Sequence, residues 1–177
     1  TEGWRGRDGR QSSKGLVEAL KNINSHKAKP YEPSEPPFEV DASWEWARLG
    51  DIYLLKSGTT VNVDCELASG DHPYFKVGDM NSPENQFMMV KSGRYVLETS
   101  IPKKSLLEKG TIIFPKIGGA IATNKKRILA VDSLYDNNVM GIIPTDIVLP
   151  EYLYYWLNTK NLSDWASGTS LPAINKS

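Results

Sequence analysis

The stretch Gly110–Pro144, GTIIFPKIGGAIATNKKRILAVDSLYDNNVMGIIP, decides how the fold is read. It holds three short apolar runs, Ile112–Phe114, Ile128–Val131 and Val139–Ile143, bounded by Gly, Asn, Asp and Pro. Apolar runs of that length with such borders read as buried strands. A glycine-rich basic connection, Lys116 to Arg127, joins the first two. Gly118 and Gly119 permit close backbone approach. Thr123 and Asn124 add uncharged donors and acceptors. Lys116, Lys125, Lys126 and Arg127 add four positive charges with no acid among them. A rigid sheet projecting a flexible, polar, cationic loop suits contact with phosphates and base edges.

Working outward, Tyr74–Val77 reads as a strand ending at Gly78–Asp79. Ser100–Lys109 reads as a short helix, opened by Ser100, with Pro102 in its first turn and Gly110 as its stop. Pro150–Thr159 reads as a second helix with Leu153, Trp156 and Leu157 on its apolar face, and Leu162–Trp165 as one further turn. Residues 168–175 read as irregular and polar. Upstream, Leu16, Val17, Leu20 and Ile23 follow helical spacing and predict an amphipathic helix over Gly15–Asn24. Lys29–Pro37, KPYEPSEPP, has four prolines in nine residues and favours an extended linker. The sequence thus predicts a short helix and proline-rich linker over residues 1–37 and one domain over 38–177. Trp44 and Trp46 flank Glu45, point the same way on a strand, and with Leu49 and Ile52 read as a core anchor. The predicted fold is α+β. A twisted, mostly antiparallel or mixed sheet is built from Tyr74–Val77, Thr111–Lys116, Ile128–Val131 and Val139–Ile143, with the helix Pro150–Thr159 packed on it.

Composition narrows the classes. The chain has 177 residues, 40% of them hydrophobic, enough for one domain with a real core. No run approaches the ~18 apolar residues of a membrane span, and Thr1–Arg10 has no apolar signal region. The single cysteine, Cys65, allows no internal disulfide and fits a reducing cytoplasm. Net charge is zero but segregated. Residues 1–29 carry seven bases against three acids, residues 30–51 one base against six acids, and residues 116–127 four bases alone. A basic face is compatible with that neutral total.

Catalytic patterns are absent. His26 and His72 stand at no zinc-ligand spacing from each other or from Cys65. There is no nucleophile elbow and no phosphate-binding G-x-x-x-x-G-K-[ST] loop, and GGAIATNKK lacks that spacing. Asp132, Asp136 and Asp146 lie near Lys125 and Lys126, an acid–lysine mixture seen in nucleases, but Asp136–Asn137–Asn138 sits where a turn is needed. No metal and no cofactor is expected.

In order and spacing, WEWARLGDI, YFKVGDMN, the Gly110–Pro144 stretch, YLYYWLNT and TSLPAINKS resemble a target recognition domain. The family is the specificity (S) subunit of type I restriction-modification systems, and the resemblance runs from Phe38 onward. It implies a cytoplasmic, non-catalytic protein that reads one half of a split target in double-stranded DNA. It also implies two partner classes: methyltransferase (M) subunits, and restriction (R) subunits that translocate and cleave. S subunits carry two such domains separated by long helices. This chain has one, so the resemblance implies a fragment, monomeric or weakly dimeric through the Gly15–Asn24 helix. The adenine methyltransferase motif Asn/Asp-Pro-Pro-aromatic is missing, since Asp136–Asn137–Asn138–Val139 has no prolines. Two alternatives stand beside recognition: a module that docks an M subunit through Pro150–Thr159, and a recognition domain of a fused restriction-methylation enzyme.

The candidate DNA contacts follow. Lys116, Lys125, Lys126 and Arg127 are candidates for phosphates, with Arg127 also a candidate for bidentate guanine recognition. Thr123 and Asn124 are candidates for base edges. Lys76 and Asn81, at the two ends of the corner after the Tyr74 strand, are candidates for either.

Overall fold

In the computed structural model, the described residues are 39, 53–101, 105–145, 148–168 and 170–175. The expected Gly15–Asn24 helix, the proline-rich linker and the Trp44–Trp46 anchor lie outside them. The chain divides into two compact units, Thr1–Tyr53 and Leu54–Ser177. The described strands lie in the second unit, apart from Tyr53 at the start of β1.

Five strands form the larger sheet: β1 (Tyr53–Ser57), β3 (Met88–Met89), β5 (Ile112–Pro115), β6 (Arg127–Leu129) and β8 (Val139–Pro144), in the order β1-β8-β5-β6-β3. β5 runs antiparallel to both β8 and β6, with Ile113 opposite Gly141 on one side and Arg127 on the other. β3 joins the edge in parallel, Met89 beside Leu129. A second sheet sets β2 (His72–Phe75) between β4 (Tyr95–Val96), antiparallel, and β7 (Leu134–Tyr135), parallel. Both sheets are therefore mixed. The helix α1 (Pro150–Asn158) packs beside β6. The α+β expectation holds.

Strand alternation distributes the core. In β2 and β7, Tyr74 lies beside Leu134 and Phe75 beside Tyr135. Tyr74 and Leu134 enter one cluster with Val61 and Val96. Phe75 and Tyr135 enter the other, with Met80, Met89, Leu107, Ile113, Leu129 and Val139, which draws on both sheets. The α1 face differs by one residue from the sequence reading. Leu153, Tyr154 and Leu157 are buried, whereas Trp156 is half-buried.

Among the described residues one predicted element does not form as a helix. Of the predicted Ser100–Lys109 helix, residues 100, 101 and 105–109 are described and none is α-helical: Glu98–Ser100 forms a single 3-10 turn, and Leu107 makes an extended bridge with Ser133. Gly110 does not stop a helix there. At φ +89° it shapes the turn into β5, and its N–H donates to the Leu129 carbonyl at 2.8 Å. The Ser and Pro start signals were local, and tertiary pairing to Ser133 overrides them.

Tyr135 is the largest polar group in the shared core. Its hydroxyl donates to the Lys56 carbonyl at 2.9 Å, and burial pushes its ionisation well above the ordinary tyrosine value of 10.0. Burial raises Tyr74 in the same direction. A pKa raised on folding contributes stability that is complete below pH 10 and is lost as pH rises toward the folded value, because the unfolded chain ionises first. Urea unfolding should therefore weaken steadily above pH 10, and Tyr135→Phe should flatten that decline. An unchanged alkaline slope in the variant would contradict the assignment.

Candidate nucleic-acid interface

The β5–β6 connection is more ordered than its sequence reads. It is neither an open nor a purely flexible loop. Gly118–Thr123 is a 3-10 helix that buries Ile121. At Gly118, φ +69° favours glycine, and its N–H donates to the Pro172 carbonyl at 2.8 Å. The Ile174 N–H donates to the Lys116 carbonyl at 2.8 Å, and Ile117 bridges to Ala173. The segment read as an irregular polar tail thus straps the connection to the sheet.

Asn124 ends the 3-10 turn at φ 53°, the one non-glycine positive φ among the described residues. Asparagine tolerates this left-handed conformation at low cost. Its side chain is engaged inward. Oδ1 accepts from Lys126 Nζ at 2.8 Å and from the Leu162 N–H at 2.9 Å, and Nδ2 donates to the Lys160 carbonyl at 3.3 Å. The carbonyl group expected to read a base edge is occupied by the protein itself. Thr123 is exposed and its hydroxyl donates to the Ala120 carbonyl at 2.6 Å.

The three consecutive cations diverge. Lys125 is half-buried and its ammonium donates to Asn81 Oδ1, joining two of the predicted residues. Lys126 and Arg127 are only 1% and 7% exposed. Lys126 Nζ donates to Asn124 Oδ1 and to the Lys160 carbonyl at 2.9 Å, just past the end of α1, where a cation favours the helix dipole. Desolvation pulls its ammonium below the ordinary lysine range. Arg127 donates to the carbonyls of Lys126 and Met80 at 2.8 and 3.2 Å, while its buried Nε has no protein partner. Neither side chain is available to a phosphate or a guanine edge as it stands. The reason is their register: Arg127 opens β6, opposite Ile113, inside the sheet.

The remaining candidates lie in separate settings. Lys116 Nζ donates to Ser57 Oγ at 3.1 Å. Lys76 Nζ reaches both Glu66 oxygens at 2.7 and 2.8 Å and lies over the Tyr74 ring. Arg94 binds the same Glu66 at 3.3 Å and Asp79 at 3.6 Å. Two cations and two carboxylates thus balance around Lys76, which leaves it little attraction for an external anion. Asn81 is exposed beside Lys125. Sequence reading missed Lys160, exposed with its ammonium 4.9 Å from the Trp156 ring centroid. It also missed Asn85, fully buried. Asn85 donates to the Asp79 and Lys91 carbonyls at 2.9 and 2.7 Å and accepts from the Val90 N–H at 2.9 Å. The corner carrying Asn81 is built around that side chain. A lysine just after a helix and an asparagine within a polar segment were the available signals, and neither is specific. Among the described residues no group of three His, Cys, Asp or Glu side chains is placed to hold a metal. No helix there is long and apolar enough to cross a membrane.

Residues 42–177 match the family described as Type I restriction modification DNA specificity domain. This chain belongs to that family. The specificity domain is 28% identical over 149 residues to the type I restriction enzyme MjaIX specificity subunit of Methanocaldococcus jannaschii, covering 78% of this chain and 33% of that protein. Among solved structures it resembles the HsdS subunit from Thermoanaerobacter tengcongensis, at TM-score 0.57 and 15% identity over 92% of this chain and 39% of that one. It also resembles a chain from a type I R-M system solved in a study of complex assembly and conformational transition. There the TM-score is 0.61 and the identity 16%, over 91% of this chain and 36% of the other. The chain spans about a third of the length of the curated relative it matches. At these identities the structural likenesses establish the fold.

Proposed function

We propose that this domain recognises one half of a bipartite duplex DNA target, as part of a non-catalytic specificity subunit whose partners methylate and restrict. The observation that carries the reading is the family match over residues 42–177, joined to the polar side chains of Thr123 and Lys125 on the β5–β6 connection and of Asn81, at the corner after β2, which Lys125 meets. Lys125 and Lys116 supply phosphate contacts, and Asn81 and Thr123 face the bases. The Lys160 carbonyl accepts from Asn124 and Lys126 on the same connection. Lys126, Arg127 and the Asn124 carbonyl hold the connection rather than the nucleic acid. Lys76, paired with Glu66, contributes to the corner's shape.

The test is salt-dependent binding of a randomised duplex pool to the subunit carrying this domain, assembled with its partners. Each lost phosphate contact lowers the slope of log K against log salt by about 0.9. Lys116→Ala with Lys125→Ala should flatten the slope by up to about 2. Lys76→Ala should leave the slope unchanged. A double variant with the wild-type slope would remove this face from consideration, and absence of any duplex binding would overturn the function.

A second reading has its own observation. Tyr152 and Tyr155 on α1 are 65% and 64% exposed, and Phe87 37%. Phe87 stacks near Tyr155 at 6.3 Å and meets Tyr154 edge-on at 4.9 Å. Exposed aromatic clusters of this kind favour protein contacts. This surface is available to dock an M subunit. Replacing Tyr152 and Tyr155 by alanine should then reduce co-purification with M and leave the salt slope alone.

A further inference from the structure

We infer that Lys126, acting through Asn124, is a positioning residue for target discrimination, a buried ammonium clamp that fixes where the DNA-facing side chains stand. The inference rests on the proposed recognition function and assigns a role within it.

Lys126 is a lysine with almost no exposure, and its ammonium donates to neutral oxygens, those of the Asn124 carbonyl and side chain and of the Lys160 carbonyl. An unpaired charge in such a place costs stability. A methionine of similar length would fill the same space without that cost. What the ammonium adds is geometry. Its donors converge on Asn124 Oδ1 at 2.8 Å and the Lys160 carbonyl at 2.9 Å. Asn124 Oδ1 also accepts from the Leu162 N–H at 2.9 Å. Three segments therefore meet at one point: the end of the 3-10 turn, the start of β6, and the exit of α1 into the 3-10 turn Leu162–Trp165. The neighbours of Lys126 in sequence extend the lock. Arg127 holds the Met80 carbonyl at 3.2 Å, and Lys125 meets Asn81, the residue after Met80. Of the side chains proposed to face DNA, Thr123, Lys125 and Asn81 are thus each next to or one residue from a group held by the clamp or by its neighbour Arg127. Holding reading groups rigidly in place is what separates discrimination from mere attraction.

The variants are Lys126→Met, which removes the ammonium and keeps the volume, and Asn124→Gly, which keeps the left-handed backbone and removes the side-chain clamp. The assembled subunit is bound to a randomised duplex pool and the retained fraction sequenced, with salt slopes measured in parallel. Both variants should lose roughly fivefold or more in enrichment at one half-site, the discrimination of a single base contact. Both should keep the wild-type salt slope and bind unselected duplex within about twofold of wild type. Wild-type enrichment in Lys126→Met would overturn the inference while leaving the recognition function standing. A slope lowered by about 0.9 would make Lys126 a phosphate contact and overturn it too. If Lys126→Met does not fold, Asn124→Gly decides the matter. If neither folds, the cluster is core structure and the inference fails. Absence of duplex binding by the wild type would instead sink the function on which it rests.

Discussion

Phe75→Ala is expected to remove about 3–5 kcal/mol of folding stability, the usual cost of truncating a buried phenylalanine. Phe75 has no exposed surface and belongs to the cluster that draws on both sheets. The cluster draws on β3, β5, β6, β7 and β8, so no single element can shift to fill the vacated volume. Its carbonyl also accepts the Asp136 N–H at 2.9 Å, which ties β2 to the turn leading into β8. Against the ~5–15 kcal/mol available to an ordinary domain, such a loss leaves a marginal protein. Urea unfolding would measure it, with Phe75→Leu as the milder comparison. A truncation that costs less than about 1 kcal/mol would mean that the two sheets do not share this core. Because Phe75 is buried and is itself none of the proposed DNA contacts, binding per folded molecule should be unchanged.

That core was largely legible in the sequence. Runs such as IIF and VMGII name buried strands because only burial explains so many consecutive apolar side chains. Four of the predicted strands exist, with ends displaced by one or two residues, and so does the helix Pro150–Asn158. The predicted Ser100–Lys109 helix failed because its start and stop signals describe local preference alone. Leu107 instead bridges Ser133, a pairing 26 residues away in sequence. The two-residue strands β3, β4 and β7 were invisible for a related reason: two residues carry no periodicity.

The candidate site was legible as a polar connection and misleading in the detail of its side chains. Lys116 to Arg127 was recognisable as a polar connection from composition. Which of its cations face solvent depends on strand register, which one residue of slippage reverses. Lys125, Lys126 and Arg127 look equivalent in sequence. In the fold, one meets Asn81 at the surface and two are buried against backbone carbonyls. Family resemblance gave the family of the domain and, with it, the proposed role. It gave no means of sorting a phosphate contact from a buried clamp, because both are written as lysine.

Gly58→Ala should be the most damaging of the glycine substitutions, costing about 3 kcal/mol or more, at or above the top of the usual overpacking range. Gly58 follows β1, and a Cβ there would sit inside van der Waals contact with the backbone carbonyl oxygens of Asp136 and Tyr135. Backbone cannot rotate away as a side chain can. The same carbonyls are committed, since Tyr135 O accepts from Thr59 N–H at 2.9 Å and Asp136 O from Val139 N–H at 3.1 Å. Gly141 gives the control. A Cβ there would meet the Tyr135 hydroxyl, with Thr111 Cγ2 at 3.1 Å. Tyr135→Phe should therefore recover part of the Gly141→Ala loss and none of the Gly58→Ala loss. The consequence reaches the proposed DNA face, because Ser57, immediately before Gly58, accepts from Lys116 Nζ at 3.1 Å. Displacing Ser57 frees that ammonium, so whatever Gly58→Ala protein remains folded should show altered binding through Lys116 alone. Thermal melts of the two glycine variants, each with and without Tyr135→Phe, make the comparison. Equal rescue of both would show that the β1 terminus is not pinned against the β7–β8 turn.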